Sequence, residues 1–186
     1  SAPVFEKIAY RDRPEGLLAL GSQVGRELSD MPRRADSLFL VAEAIEKPGN
    51  LGSILRSADA AGASGVIVCD PRTDLNNPNT VRASIGTLFA VPVAQADTPG
   101  TIDWLKNNNI RIIIASPDAA RNYTHIDLRG PVALVVGTEQ LGLSKSWIDH
   151  ADESAMIPMY GQVDSLNVAN AATLLLFEAV RQRNSK

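Results

Sequence analysis

Three stretches of this sequence set amide, hydroxyl and charged side chains at spacings that suit chemistry. The first is Asn50-Leu51-Gly52-Ser53-Ile54-Leu55-Arg56, running on to Gly62. Leu51, Ile54, Leu55 and Ala58 repeat at helical spacing and make one apolar stripe. Asn50 reads as the cap of that helix. Arg56 lies off the stripe, about one and a half turns in. It is either a solvent-facing arginine or an anion contact near a helix N-terminus, where backbone N–H groups favour phosphate. The second stretch is Gly137-Thr138-Glu139-Gln140-Leu141-Gly142, directly after an apolar run. It is either a plain strand-to-helix turn or a ligand edge at which Glu139 accepts hydrogen bonds. The third runs from Ile157-Pro158-Met159 through Ser165-Leu166-Asn167 to Asn170. Ser165 is a plausible N-cap. Asn167 and Asn170 are poor helix formers at the start of a long helix, and their presence there calls for a reason.

Other familiar chemistries find no footing. G-x-G-x-x-G, the phosphate-binding G-x-x-x-x-G-K-[ST] and the G-x-S-x-G nucleophile elbow are all missing. The single cysteine, Cys69, forms no internal disulfide and no cysteine-rich zinc site, and reads as a small buried hydrophobe. His125 and His150 are placed as structural or surface residues, so no metal is expected. The net charge of −3 counts against nucleic-acid binding by bulk electrostatics, though not against a local basic patch. No apolar run approaches the ~20 residues of a membrane span, and the N-terminus lacks a signal-peptide pattern, so a cytoplasmic protein is expected.

The elements that must position these stretches show a rhythm. Apolar runs at Leu38–Ala42, Gly65–Cys69, Ile110–Ala115, Val132–Val136 and Ala155–Pro158, with Phe89–Val93 as a further candidate, read as strands. Helical patterns cover 51–62, 79–86, 99–108, 143–150 and 166–183. Continuous apolar strands alternating with helices predict an α/β fold, a parallel sheet flanked by helices. Ligands of such sheets sit in the loops beyond the carboxyl ends of the strands. The three stretches, and Ser116-Pro117-Asp118, occupy those loops. Trp104 and Trp147 fit core positions on helices. Residues 1–36 are charge-rich and read as a linker, with Leu17-Leu18-Ala19-Leu20 either a short strand or the start of a helix. Residues 37–186 form one domain.

In this order and spacing the three stretches resemble the signature motifs of the SpoU/TrmH family of RNA 2′-O-ribose methyltransferases, within the SPOUT superfamily. Val81-Arg82-Ala83-Ser84-Ile85-Gly86 resembles a further family segment, and the likeness covers roughly residues 17–183. One departure follows Asn167-Val168, where the family often has serine and this chain has Ala169.

The resemblance implies a C-terminal trefoil knot, with residues 37–186 as the catalytic domain. It implies S-adenosylmethionine as cofactor, RNA as substrate and a homodimer with the site near its interface, the helix over 166–183 being a candidate for part of that interface. Gly137, Ile157 and Leu166 would hold the cofactor, with Ser116 and Met159 lining the same pocket. Arg56 matches the catalytic arginine and would contact the target phosphate. Asn50 would position Arg56 or the ribose, and Glu139, Ser165 and Asn167 would complete the substrate side. Arg13–Leu20 resembles the segment joining an N-terminal substrate domain to the core in family members that modify ribosomal RNA, which favours rRNA over tRNA. That domain is expected to be absent, leaving a catalytic part with poor RNA affinity of its own. A catalytically silent RNA-binding or ribosome-assembly factor on the same scaffold, and an unrelated nucleotide-binding α/β enzyme, are the competing readings.

Overall fold

The computed structural model describes residues 1–10, 16–137 and 142–185. Seven strands form one sheet: β1 (Leu38–Glu43), β2 (Gly65–Cys69), β3 (Val93–Ala96), β4 (Arg111–Ala115), β5 (Arg121–Asn122), β6 (Val132–Val136) and β7 (Glu153–Met156). Their order is β3-β2-β1-β6-β4-β7-β5, and every pair is parallel. The helices are α1 (Ala2–Ile8), α2 (Pro48–Ala60), α3 (Pro78–Ser84), α4 (Thr98–Asn107), α5 (Lys145–His150) and α6 (Val168–Asn184).

The continuous apolar runs have a simple cause. Every residue of β1, β2 and β6 is buried, because both faces of the sheet are covered. Alternate residues then serve alternate layers. Leu38, Leu40 and Ala42 pack with α2 and α6 through Leu55, Ala172 and Leu176. Phe39 and Val41 point the other way, to Leu105 of α4 and Trp147 of α5. Trp104 meets Phe39 edge-on, with ring centroids 5.4 Å apart.

Several boundaries differ from the sequence reading. β7 lies two residues earlier than the run Ala155–Pro158, since Pro158 has no N–H for a ladder. Phe89 is exposed in a short 3-10 turn, and the strand begins only at Val93, after Pro92. α2 starts at Pro48 rather than after Asn50. Lys47 is its cap, and proline's fixed φ suits the first helical position. The cap of α6 is Asn167, not Ser165: its side-chain oxygen accepts the N–H of Ala169 at 3.0 Å. Leu17–Leu20 is neither strand nor helix. Within residues 1–36, α1 was unforeseen, Met31 is buried in the core and Arg26 bridges Ala94 of β3.

β7 lies between β4 and β5, so the chain from 116 to 131, which joins β4 to β6 by way of β5, passes around it. α5 precedes β7 on one face of the sheet and α6 follows on the other. A threaded C-terminal segment needs this order. The end of α6 is fastened to that surrounding chain. Gln182 accepts the N–H of Leu128 and donates to the carbonyl of Ile126, while Arg183 donates to the carbonyls of Leu128 and Gly130.

α2 reaches α3 through Gly52. A methyl group there would lie 2.7 Å from the Ala83 carbonyl carbon and 2.8 Å from the Ser84 nitrogen. In an open helix Gly→Ala gains about 1 kcal/mol. Here the sign reverses: Gly52→Ala is expected to destabilise by about 1–3 kcal/mol, as overpacking does. Urea unfolding midpoints of the two proteins measure it.

Candidate active site

The start of α2 and the start of α6 are brought together across the sequence. Asn167 Nδ2 donates to Asn50 Oδ1 at 3.1 Å, between residues 117 positions apart. Further along, the hydroxyls of Ser57 and Thr173 lie 2.6 Å apart and lock the two helices side by side. The first and third sequence motifs therefore form one unit, and Asn167 at the start of α6 has its reason.

Arg56 is exposed on the outer side of α2. It lines a groove of about 510 Å³ with Ser53 and Ser57, the Ser84-Ile85 turn after α3, and Asn170 and Phe177 of α6. Ile85 carries a φ of +51° and is 71% exposed. A β-branched residue in that region is strained, and this one stands at the groove's rim.

A second cavity, of about 420 Å³, opens where β7 ends. Ile157, Met159 and Leu166 line it, as do Pro158, Tyr160 and Leu174. Its far wall is the Asn122-Tyr123-Thr124 turn, which the sequence reading missed. β5 is two residues long and polar, so it leaves no periodic signal. Its pairing of Asn122 with Met156 sets that turn beside the Ile157 loop. The two cavities share no lining residue, and α6 contributes to both.

Gly137 and Ser116 directly follow the adjacent strands β6 and β4. Neither lines the 420 Å³ cavity. Ser116 donates its N–H to the carbonyl of Ala155 at 3.0 Å, and its hydroxyl oxygen accepts the N–H of Asp118 at 3.3 Å. Gly137 packs directly against the backbone of Gly142 and Leu143. Ser165 is exposed. Glu139 lies outside the described residues, as does Arg13 of the N-terminal segment. Burial pushes the Cys69 thiol up to about 12, so it stays a thiol and is no nucleophile. Among the described residues no group of three or more His, Cys, Asp or Glu side chains is placed to hold a metal ion, and no helix is long and apolar enough to cross a membrane.

Residues 37–177 match the SpoU rRNA Methylase family. The chain belongs to that family. It is 38% identical, over 94% of its length, to the 23S rRNA (uridine(2479)-2′-O)-methyltransferase of Streptomyces viridochromogenes. It is 35% identical, over 95% of its length, to the 23S rRNA (guanosine(2553)-2′-O)-methyltransferase RlmP of Bacillus subtilis. The chain spans 63% and 69% of those two proteins. Among solved structures, the AdoMet-bound rRNA methyltransferase from Sinorhizobium meliloti superposes with a TM-score of 0.83 at 38% identity, over 88% of this chain and 63% of that one. The SpoU fold thus accounts for the parallel sheet flanked by helices.

Proposed function

We propose that this SpoU-family chain is the catalytic part of an RNA 2′-O-methyltransferase acting on ribosomal RNA in the cytoplasm, with residues 1–36 leading into a catalytic domain of 37–186. The observation that carries it is the bond between Asn50 and Asn167, which joins the arginine-bearing helix to the loop that lines the apolar cavity. The activities and the AdoMet complex named for its relatives support the same reading.

The residues present fit S-adenosylmethionine. Ile157, Met159 and Leu166 offer apolar contact for an adenine, and Gly137 meets the Gly142 and Leu143 backbone so closely that a side chain there would push it away. Gly137, Ser116, Ile157, Met159 and Leu166 would hold it, and when bound it supplies an electrophilic sulfonium methyl group.

The chain's own residues do the rest. An arginine keeps its proton at neutral pH, so Arg56 orients the target phosphate and stabilises charge on the attacking ribose oxygen as that oxygen gives its proton to solvent water. Asn50 and Asn167 fix the start of that helix against the cofactor loop, and Glu139 and Ser165 complete the substrate side. Two such sites form in a homodimer, with Leu174 and Phe177, both part-exposed on α6, in the interface.

The test is calorimetry with S-adenosylmethionine, followed by mass spectrometry of nucleosides from RNA treated with the chain. Micromolar binding and a new 2′-O-methyl nucleoside in 23S rRNA are expected. Methylation of tRNA alone transfers the activity to tRNA. Binding without transfer to either RNA leaves a silent scaffold.

A further inference from the structure

One buried carboxylate has no part in the mechanism above. Glu43 ends β1 and is 5% exposed. By strand alternation it points, with Phe39 and Val41, toward α4 and α5. Its Oε2 accepts the backbone N–H of Ser144 at 2.8 Å, across 101 positions of sequence, and its Oε1 accepts the hydroxyl of Thr98 at 3.4 Å. The ladder between β1 and β6 ends at Ala42 opposite Val136, so Glu43 and Gly137 are the next residues on the two strands. Gly142 and Leu143, which immediately precede Ser144, are the backbone packed against Gly137. Gly137 and the Gly142–Ser144 backbone therefore meet beside Glu43. β6 leads into Gly137, and the carboxylate holds Ser144.

We infer that Glu43 is a positioning residue for the cofactor: its hydrogen bond to the Ser144 N–H holds the Gly142–Ser144 backbone in place against Gly137. The inference rests on the reading of Gly137 as part of the S-adenosylmethionine site. A buried carboxylate is a costly way to cap a turn. An apolar side chain would fill that space more cheaply, unless the Ser144 backbone has to be held in one place. Glutamine can do the same work. Its amide oxygen accepts the Ser144 N–H and its NH₂ donates to the Thr98 hydroxyl. Leucine fills the space and does neither.

The experiment measures S-adenosylmethionine affinity of the full chain by calorimetry, at a temperature where circular dichroism shows every variant folded. Glu43→Leu is expected to weaken binding at least tenfold, and Glu43→Gln to stay within threefold of the parent. Ser144→Pro reads the same bond from its donor side. Ser144 sits at φ −63°, which proline adopts, so the change deletes the N–H at a compatible backbone angle. It is expected to lose as much as Glu43→Leu, and the double variant to fall no further, since both remove one interaction. Should Glu43→Leu not fold, Ser144→Pro against Glu43→Gln decides alone. Affinity within threefold of the parent in Glu43→Leu and Ser144→Pro overturns the inference. So does a loss in Glu43→Gln equal to that in Glu43→Leu. A parent chain that binds no S-adenosylmethionine overturns the cofactor reading itself, and this inference with it.

Discussion

Arg56→Ala is expected to cut methyl transfer about a thousandfold and leave S-adenosylmethionine affinity within about twofold. Removing one pre-positioned donor from developing charge costs roughly 10²–10³ in rate, and loss of the phosphate contact adds misorientation of the attacking oxygen. Binding is spared because Arg56 is exposed on α2 and its groove shares no lining residue with the cavity at Ile157, Met159 and Leu166. Stability is spared because alanine is the better helix former and no packed atom is lost. Arg56→Lys separates charge from geometry. It keeps the cation but loses the planar fork, and it should fall between the two. Single-turnover methylation of 23S rRNA, with calorimetry on the same protein, measures both quantities. Loss of cofactor affinity alongside activity would move Arg56 from the substrate side to the cofactor side.

The separation of these two quantities was only partly legible in the sequence. Leu38–Ala42, Gly65–Cys69 and Val132–Val136 stand out because strands buried on both faces must be apolar at every position. Edge strands carry no such constraint, so Arg121–Asn122 gave no sign, and the cavity wall it supports went unseen with it. Helix starts were misplaced for a similar reason. Asn50 and Ser165 are good capping residues by type, but Pro48 begins α2 earlier, and Asn167 caps α6 while its amide also reaches Asn50. One side chain with a local and a long-range duty cannot be told from spacing. Glu43 was the least legible residue. It falls just beyond the apolar run Leu38–Ala42, and its partner lies 101 positions away. Resemblance supplied the roles, and the fold supplied the contacts on which those roles can be tested.

Gly137→Val is expected to abolish measurable S-adenosylmethionine binding, a loss of at least a hundredfold. Gly137 is not in the left-handed region, so its backbone conformation would accept any residue. The constraint is space. A Cβ at Gly137 would lie 2.6 Å from the Gly142 oxygen, 2.8 Å from the Gly142 carbonyl carbon and 2.9 Å from the Leu143 nitrogen. All three are backbone atoms, and no rotamer can relieve the clash. Gly142 and Leu143 must therefore move away from Gly137, and the bond from Ser144 to Glu43 is strained with them. The fold should survive, because β6 is held by β1 and β4 along its length, at a cost of about 1–3 kcal/mol for the overpacking. Gly137→Ala adds only the offending methyl and should show the same effect in weaker form. Gly161→Ala is the control: it lies in the loop after β7, and its Cβ would meet nothing within 4 Å. Its affinity should match the parent's. A Gly137→Val protein that still binds would place the cofactor away from this turn. If it loses binding while Arg56→Ala retains it, cofactor capture is assigned to the Gly137 side and phosphate orientation to the Arg56 groove.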